Sequence, residues 1–248
     1  MNAALRLGSV ALFLAAWLAG SYLLGPRLLP TPQMVALAIV HEARSGALAF
    51  NLGITLLRVA ASFTLAMVLG TVIGLGMGRN SVFNRLADPW LVVLLNLPAL
   101  VIIVLAYIWV GLTETAALVA VALNKLPIAI VTVREGARAL DPSLDEMATV
   151  FRMSGWVRWR HVTMPQLAPY LAAATRSGLS LVWKIVLIVE LLGRPNGVGF
   201  EIGAAFQLFD VTRILAYALT FVVVMLAIET LLVQPFERHV SRWRIKPA

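Results

Sequence analysis

Long apolar runs alternate with short polar segments along the whole chain. Six of these runs are long enough to cross about 30 Å of hydrocarbon as α-helices, at a rise of 1.5 Å per residue. A helix that is apolar around most of its circumference is typical of a membrane span. The pattern therefore predicts an all-α polytopic membrane protein with about six transmembrane helices, at residues 5–25, 52–78, 91–112, 115–134, 169–192 and 211–235.

The amino-acid composition supports a membrane protein. Of the 248 residues, 60% are hydrophobic and only 13% are charged, against about 25% charged in a soluble domain. The chain has no cysteine, which excludes a disulfide scaffold and a cysteine-based metal cluster. The net charge is +8, but long apolar runs separate the basic residues, so we expect no nucleic-acid partner.

The distribution of basic residues predicts the orientation in the membrane. With the N-terminus inside, the inner segments hold twelve basic residues, the outer segments hold four, and the remaining four lie within spans. Because basic residues concentrate on the cytoplasmic side, we expect both termini in the cytoplasm. The inner set comprises Arg6, Arg79, Arg85, Arg134, Arg138, Arg152, Arg158, Arg160, Arg238, Arg242, Arg244 and Lys246.

The N-terminal segment, residues 1–27, is open to two interpretations. Arg6 precedes an apolar run, as in a cleavable signal peptide. The run extends to Leu24, however, which is longer than a signal-peptide core, and no small-x-small cleavage site directly follows it. We therefore expect a permanent membrane anchor.

A short helix is predicted between the first two spans. Thr31 is suited to be its N-cap, Pro32 its first residue and Gly46 its end, with the helix over residues 33–44 between them. We expect this helix to lie along the outer membrane interface.

The longest polar segment between spans, residues 135–168, predicts two amphipathic helices. Asp141 can open the first, which Gly155 can end, and the second runs from Trp156 to Val162 and stops before Pro165. Their apolar faces need a covering surface, either the bilayer or another protein. The acidic first half suits a protein groove, whereas the aromatic and arginine residues of the second half suit lipid headgroups.

This segment resembles the EAA loop of the membrane subunits of binding-protein-dependent ABC importers. The resemblance spans about residues 28–244 and is closest to the nitrate, sulfonate and taurine branch of that family. In the loop it is carried by Glu146-Met147-Ala148, Phe151, Ser154, Val162 and Met164-Pro165. Elsewhere it is carried by Leu29-Pro30-Thr31-Pro32, Thr55 to Arg58, Pro98, Pro127, Glu190-Leu191-Leu192-Gly193 and Gly197-Val198-Gly199-Phe200.

The resemblance implies a permease domain over residues 28–248 with a type I ABC importer-like fold, in a bacterial inner membrane. It further implies two cytoplasmic ABC ATPase subunits, a second permease copy forming a homodimer, and an outer solute-binding protein. The chain has no Gly-Lys pair and hence no phosphate-binding loop. We therefore expect no enzymatic activity and no cofactor in this chain, with MgATP bound by the partner ATPase.

By the same resemblance, the loop couples the spans to the ATPase. Glu146 and Arg152 are expected to make polar contacts, and Met147, Val150 and Phe151 to anchor in a groove. Arg152 falls on the family's loop glycine, so Gly155 is expected to supply the turn instead. The predicted coupling set is completed by Ala148 and Pro165.

Charged residues within spans are costly in hydrocarbon and should face protein or water. For Lys125 and Lys184 two interpretations stay open: an ion pair with Glu190 that locks helices, or a positive lining that favours an anion such as a sulfonate, nitrate or carboxylate. Arg58 and Arg176 lie near span ends, from which they can extend to the interface. The outer loop with Gly197 and Gly199 is either a gate or a flexible hairpin.

Two rival functions remain. An ATP-independent carrier should show two related halves, but the first three spans share no matching glycine, proline or charge pattern with the last three. A membrane-embedded enzyme would need a nucleophile or metal site within the spans, and the three histidines all lie outside them. The sequence favours an ATP-driven importer subunit over both.

Overall fold

The structure, a computed structural model, describes residues 3–235. Within that range the chain is helical and contains no strand. The predicted inner cluster Arg238, Arg242, Arg244 and Lys246 lies outside the described residues. The helices are α1 (Ala3–Leu24), α2 (Pro32–Arg44), α3 (Ala47–Arg79), α4 (Ser81–Asn96), α5 (Ala99–Val110), α6 (Glu114–Arg138), α7 (Pro142–Val150), α8 (Gly155–Arg158), α9 (Met164–Gly193), α10 (Val198–Gln207) and α11 (Val211–Ile228), with π-helical turns at Trp159–Thr163 and Glu229–Val233.

The described helices confirm the prediction of an all-α polytopic protein. Five helical segments are long and apolar enough to cross a membrane, and the number rises to six if the bent pair α4 and α5 forms one span. The five are α1, α3, α6, the continuous segment Gly155–Gly193, and α11 with its π-helical turn.

The third span differs from its prediction. Instead of one helix over residues 91–112, α4 ends at Asn96, α5 begins at Ala99, and their axes differ by 99°. Pro98 causes this break, because it has no N–H to donate and forces the preceding residue out of the helical region. Leu97 accordingly has φ −73° and ψ 126°.

The chain divides into two compact units. Of the described residues, one unit comprises 3–56 together with Glu190–Leu226, and the other comprises Leu57–Val189 together with 227–235. In the first unit, α2 has the predicted start, since the Thr31 hydroxyl accepts the N–H of Met34 at 3.3 Å. Gly46 ends it with a φ of 80°. This helix is confirmed.

In the second unit, α6 is the central helix. Gly70, Gly74 and Gly78 of α3 face it so closely that a Cβ on Gly74 would lie 2.7 Å from the carbonyl oxygen of Ile130. Small residues allow such close helix packing within a membrane, where dispersion contacts replace the hydrophobic effect. A cluster formed by Met77, Leu91, Leu126 and Ile130 fills the core beside these glycines.

The second helix of the polar segment was predicted to stop before Pro165, but it continues past this residue. It passes through the π-helical turn Trp159–Thr163 directly into α9, with the N–H of Met164 donating to the carbonyl of Trp159. The wider turn relieves the clash that a proline ring makes with the carbonyl four residues earlier. The polar segment and the span α9 are therefore joined without a loop.

Candidate functional site

The polar segment folds as a helical hairpin, hereafter the coupling loop (residues 141–163). α7 starts as predicted, with the Asp141 carboxylate accepting the N–H of Ser143 at 2.8 Å. At its other end Val150 and Phe151 are 78% and 71% exposed. Two adjacent apolar side chains on the tip of a polar loop form a surface suited to a partner.

Arg152, not Gly155, makes the turn that ends α7. Arg152 has a φ of 48°, and the N–H of Met153 donates to the Ala148 carbonyl at 2.9 Å. The N–H of Arg152 donates to Thr149 at 3.0 Å, which completes a Schellman motif. The motif requires a left-handed residue at position 152, which is the position of the loop glycine in the family that the segment resembles. Gly155 instead opens α8, so its predicted role was wrong.

An ion pair closes the hairpin. The Arg158 Nε donates to the Asp145 Oδ1 at 2.6 Å, and a second guanidinium nitrogen contacts the other carboxylate oxygen. The hydrogen bond from Arg158, followed by its positive charge, holds the pKa of Asp145 below its ordinary value. Arg158 was expected to suit lipid headgroups, and its pairing with Asp145 was not predicted from the sequence. The signal in the sequence was an acid and a base on opposite sides of one turn.

Two further hydrogen bonds attach the coupling loop to neighbouring helices. The backbone N–H of Asp141 donates to the side-chain oxygen of Gln166 in α9 at 2.8 Å. At the other end of the loop, the Arg79 guanidinium of α3 donates to the Thr163 hydroxyl at 3.2 Å. Neither contact was predicted from the sequence, and together they attach the loop to α9 and α3.

The structure separates the eight predicted coupling residues by exposure. Ala148 is buried within the chain itself and supports the turn rather than contacting a partner. The other seven are exposed: Glu146, Met147, Val150, Phe151, Arg152, Gly155 and Pro165.

Lys125 is fully buried and connects α6 to α9. Its ammonium donates to the carbonyl of Ala174 at 2.9 Å, and a Cβ on Gly178 would overlap its terminal atoms. Lys125 therefore does not line a path in this structure. The predicted ion pair with Glu190 is not formed by Lys125 or by Lys184 among the described residues.

Lys184 has a different environment. It is exposed on α9 within the candidate span Gly155–Gly193, and it has no hydrogen bond or ion pair with any described residue. Ser177 and Ser180 are exposed on the same helix at seven and four residues before it, so the three form one stripe. Each serine hydroxyl donates to a backbone carbonyl of α9. We call Ser177, Ser180 and Lys184 the α9 stripe.

Arg58 was expected to extend to the interface, but its side chain is buried and paired. It is 4% exposed and forms a two-point ion pair with Glu114 of α6, with distances of 2.6 Å and 3.0 Å. Paired in this way, a buried guanidinium is a structural element of the membrane domain.

The loop after α9 is not a flexible hairpin, because it contains α10. Glu190, at the end of α9, is fully buried. Its carboxylate accepts the Thr55 hydroxyl and the N–H of Gly199, each at 2.9 Å. Asn51, which was not predicted from the sequence, accepts the N–H of Gly197 at 2.8 Å. The two predicted glycines and Glu190 thus meet in one buried polar cluster.

The family model for the binding-protein-dependent transport system inner membrane component matches residues 66–244. The chain belongs to this family. Two curated relatives have comparable length. The chain is 28% identical to the putative aliphatic sulfonates transport permease protein SsuC of Bacillus subtilis, over 94% of this chain and 85% of the relative. It is 24% identical to the taurine transport system permease protein TauC of Escherichia coli, over 96% and 89% of the two chains.

A solved structure shares the fold. It is described as the crystal structure of an amino acid ABC transporter with histidines, and it matches with a TM-score of 0.64 and 21% identity over 81% of this chain and 97% of the other. The chain is thus an ABC importer permease, a multi-pass inner membrane transport subunit and not an enzyme. Importers of this family work with an ATPase and a binding protein. The carrier and membrane-enzyme alternatives are set aside.

Proposed function

We propose that this permease imports a small anion of the sulfonate or carboxylate type, and that the α9 stripe lines its path. The observation that carries the proposal is the exposed ammonium of Lys184 within a membrane span. The names of the two relatives, which refer to aliphatic sulfonates and taurine, support the same solute class.

Electrostatics favours this assignment of Lys184. A lysine within a span costs several kcal/mol if it faces hydrocarbon, so it faces water or protein in the assembled transporter. No described residue offers it a counter-charge. A solvated ammonium in a low-dielectric channel raises the local concentration of anions. The two serine hydroxyls extend the same polar surface by about two turns of helix.

The permease acts as a homodimer with both termini in the cytoplasm, two ATPases below it and a solute-binding protein above it. One chain supplies only half of a closed path, and a second copy related by two-fold symmetry supplies the other half. The pair then presents two copies of Lys184 to one solute. The predicted excess of basic residues on the inner side supports the orientation.

The coupling loop docks on the ATPase through its exposed tip. Burying an apolar side chain of the size of Phe151 contributes roughly 1.5–3 kcal/mol, whereas an exposed ion pair contributes about 0–1 kcal/mol. Val150 and Phe151 are therefore the anchoring residues, and Glu146 and Arg152 contribute orientation at the rim.

Uptake by the purified complex in proteoliposomes tests the solute proposal. With the binding protein and ATP supplied, Lys184→Met is expected to lower the uptake of taurine or another alkanesulfonate at least tenfold, with co-purification of the ATPase unchanged. Lys184→Arg, which keeps the charge, should retain most of the uptake. Uptake by Lys184→Met at the rate of the unaltered complex would overturn the proposal.

A further inference from the structure

The first turn of α10 is capped by three side chains that come from other helices. The N–H of Gly197 donates to Asn51 at 2.8 Å and the N–H of Gly199 donates to Glu190 at 2.9 Å. Between them, the N–H of Val198 donates to the Thr55 hydroxyl at 2.9 Å. The first N–H groups of a helix have no partner within the helix, and here α3 and α9 supply the acceptors.

Two of the capping side chains contact each other, and the third makes a second contact with α10. The Thr55 hydroxyl that accepts from Val198 lies 2.9 Å from both carboxylate oxygens of Glu190. The Asn51 amide donates to Glu201 of α10 at 3.0 Å. Each of the two α3 residues thus makes one contact with the backbone of the α10 start and one with a carboxylate. A network with this many shared members holds its geometry better than separate pairs would.

Only glycine fits at position 197. Its φ is 107°, and a Cβ there would overlap the Glu190 carboxyl group. The carboxylate therefore lies directly against the backbone at the N-terminus of α10. A negative charge at this end of a helix is stabilised by the helix dipole and by the free N–H groups.

We propose that Glu190 is a positioning residue that clamps α10 to α3 and α9, together with Asn51 and Thr55. α9 starts at Met164, directly after the coupling loop, and carries Glu190 in its last turn. The clamp makes α10 follow α9 when the ATPase pair moves the coupling loop. The contacts alone support the attachment of α10, whereas its part in transport rests on the proposed function.

The attachment can be measured by thiol labelling, because the chain has no cysteine of its own. Ala205 of α10 is fully buried, whereas Phe206 next to it is 67% exposed. In the purified complex, Ala205→Cys should react slowly with N-ethylmaleimide and Phe206→Cys should react fast. Adding Glu190→Gln or Thr55→Val to Ala205→Cys is expected to speed the labelling at least tenfold, because α10 then detaches from α3 and α9 and exposes position 205.

Two controls separate the clamp from general destabilisation. Glu190→Asp, which keeps the charge, should restore at least part of the protection. Glu229→Gln, the same chemical change at another carboxylate of a candidate span, should leave the labelling of Ala205→Cys unchanged. Thr55→Val removes a single hydroxyl and keeps the experiment decisive if Glu190→Gln fails to assemble. Unchanged labelling in Thr55→Val and in every Glu190→Gln complex that assembles would overturn the clamp.

A transport measurement tests the positioning role. Glu190→Gln is expected to lower solute uptake per ATP hydrolysed at least fivefold while basal ATP hydrolysis persists, and Glu190→Asp should recover uptake. An unchanged ratio would overturn that role. The labelling experiment needs no solute, so it tests the clamp independently of transport. A complex that imports no anion would therefore count against the proposed function but not against the clamp.

Discussion

Arg158 and Asp145 form an ion pair that joins the two short helices of the coupling loop. The pair fixes how α7 is presented, because it links α7 to α8 across the turn that the backbone hydrogen bonds at Arg152 and Met153 close. Apolar anchors at the tip of a loop bind a groove effectively when the loop is already ordered, since less entropy is lost on docking.

The ion pair gives the coupling loop a defined pH dependence. The hydrogen bond from Arg158 places the pKa of Asp145 below its ordinary value of 3.8 in the folded loop. Because the pKa of Asp145 is lower in the folded than in the unfolded loop, the ion pair stabilises the fold fully above pH 3.8. This stabilisation is lost as the pH falls through the folded pKa. The protection factors of residues 142–158, which compare measured exchange with the intrinsic rate at the same pH, should therefore be unaffected by this group from pH 5 to pH 8 and should fall below that pKa.

The same pair can be tested at neutral pH. Asp145→Asn should lower the protection factors of α7 and α8 at pH 7 to the values that the unaltered loop shows only in acid. Asp210→Asn, outside the coupling loop, is the matched control. Exchange in Asp145→Asn equal to that of the unaltered chain would show that the pair does not order the loop.

Phe151 and Arg152 are neighbours that should differ in their effect on ATPase docking. Phe151→Ala removes an apolar anchor worth roughly 1.5–3 kcal/mol when buried, and Arg152→Ala removes at most an exposed polar contact worth about 0–1 kcal/mol. We expect Phe151→Ala to weaken ATPase binding about tenfold or more, and Arg152→Ala about fivefold or less. Binding of the purified ATPase to permease in nanodiscs measures both, and the opposite ranking would refute the assignment of the anchor.

The left-handed backbone at position 152 predicts a stabilising substitution. Arg152 has a φ of 48°, a conformation that costs a residue with a Cβ about 1–2 kcal/mol relative to glycine. Arg152→Gly should therefore slow the exchange of the N–H of Met153, which closes the Schellman motif. Arg152→Ala keeps the strain and is the control. Faster exchange in Arg152→Gly than in Arg152→Ala would contradict this account of the turn.

The buried position of Lys125 predicts that replacing Gly178 destabilises the permease. A Cβ on Gly178 would overlap the end of the Lys125 side chain, so Gly178→Ala should separate α6 from α9 and cost about 1–3 kcal/mol. The thermal unfolding midpoint of the purified permease should fall by several degrees. Gly53→Ala is the control, since nothing lies within 4 Å of a Cβ there. Equal midpoints for the two variants would show that α9 adapts to the added methyl group.

Local sequence patterns predicted most of the spans and the start of α7. Apolar length identified α1, α3, α6, α9 and α11, because lipid imposes the same requirement at every position of a span. The break at Pro98 was missed because hydropathy does not register a missing N–H. The turn at Arg152 was missed because its conformation is imposed by backbone hydrogen bonds that overcome the side-chain preference.

The side-chain contacts between helices were harder to predict from the sequence than the helices themselves. Asn51 contacts Gly197 across 146 positions and Arg58 contacts Glu114 across 56, and no local periodicity encodes such distances. For Lys125 and Glu190 the sequence indicated that charged residues in spans need partners. The sequence could not indicate that Lys125 binds a backbone carbonyl, or that Glu190 binds hydroxyl and amide donors, because helix packing determines those partners.

A photocrosslink from the tip of the coupling loop tests whether the loop docks on a nucleotide-binding partner. A benzophenone maleimide attached to Val150→Cys should react with the ATPase subunit in the assembled complex, giving one adduct with the mass of both chains. Adducts with lipid alone, or modification of Val150→Cys only from the outer side of sealed vesicles, would contradict the account.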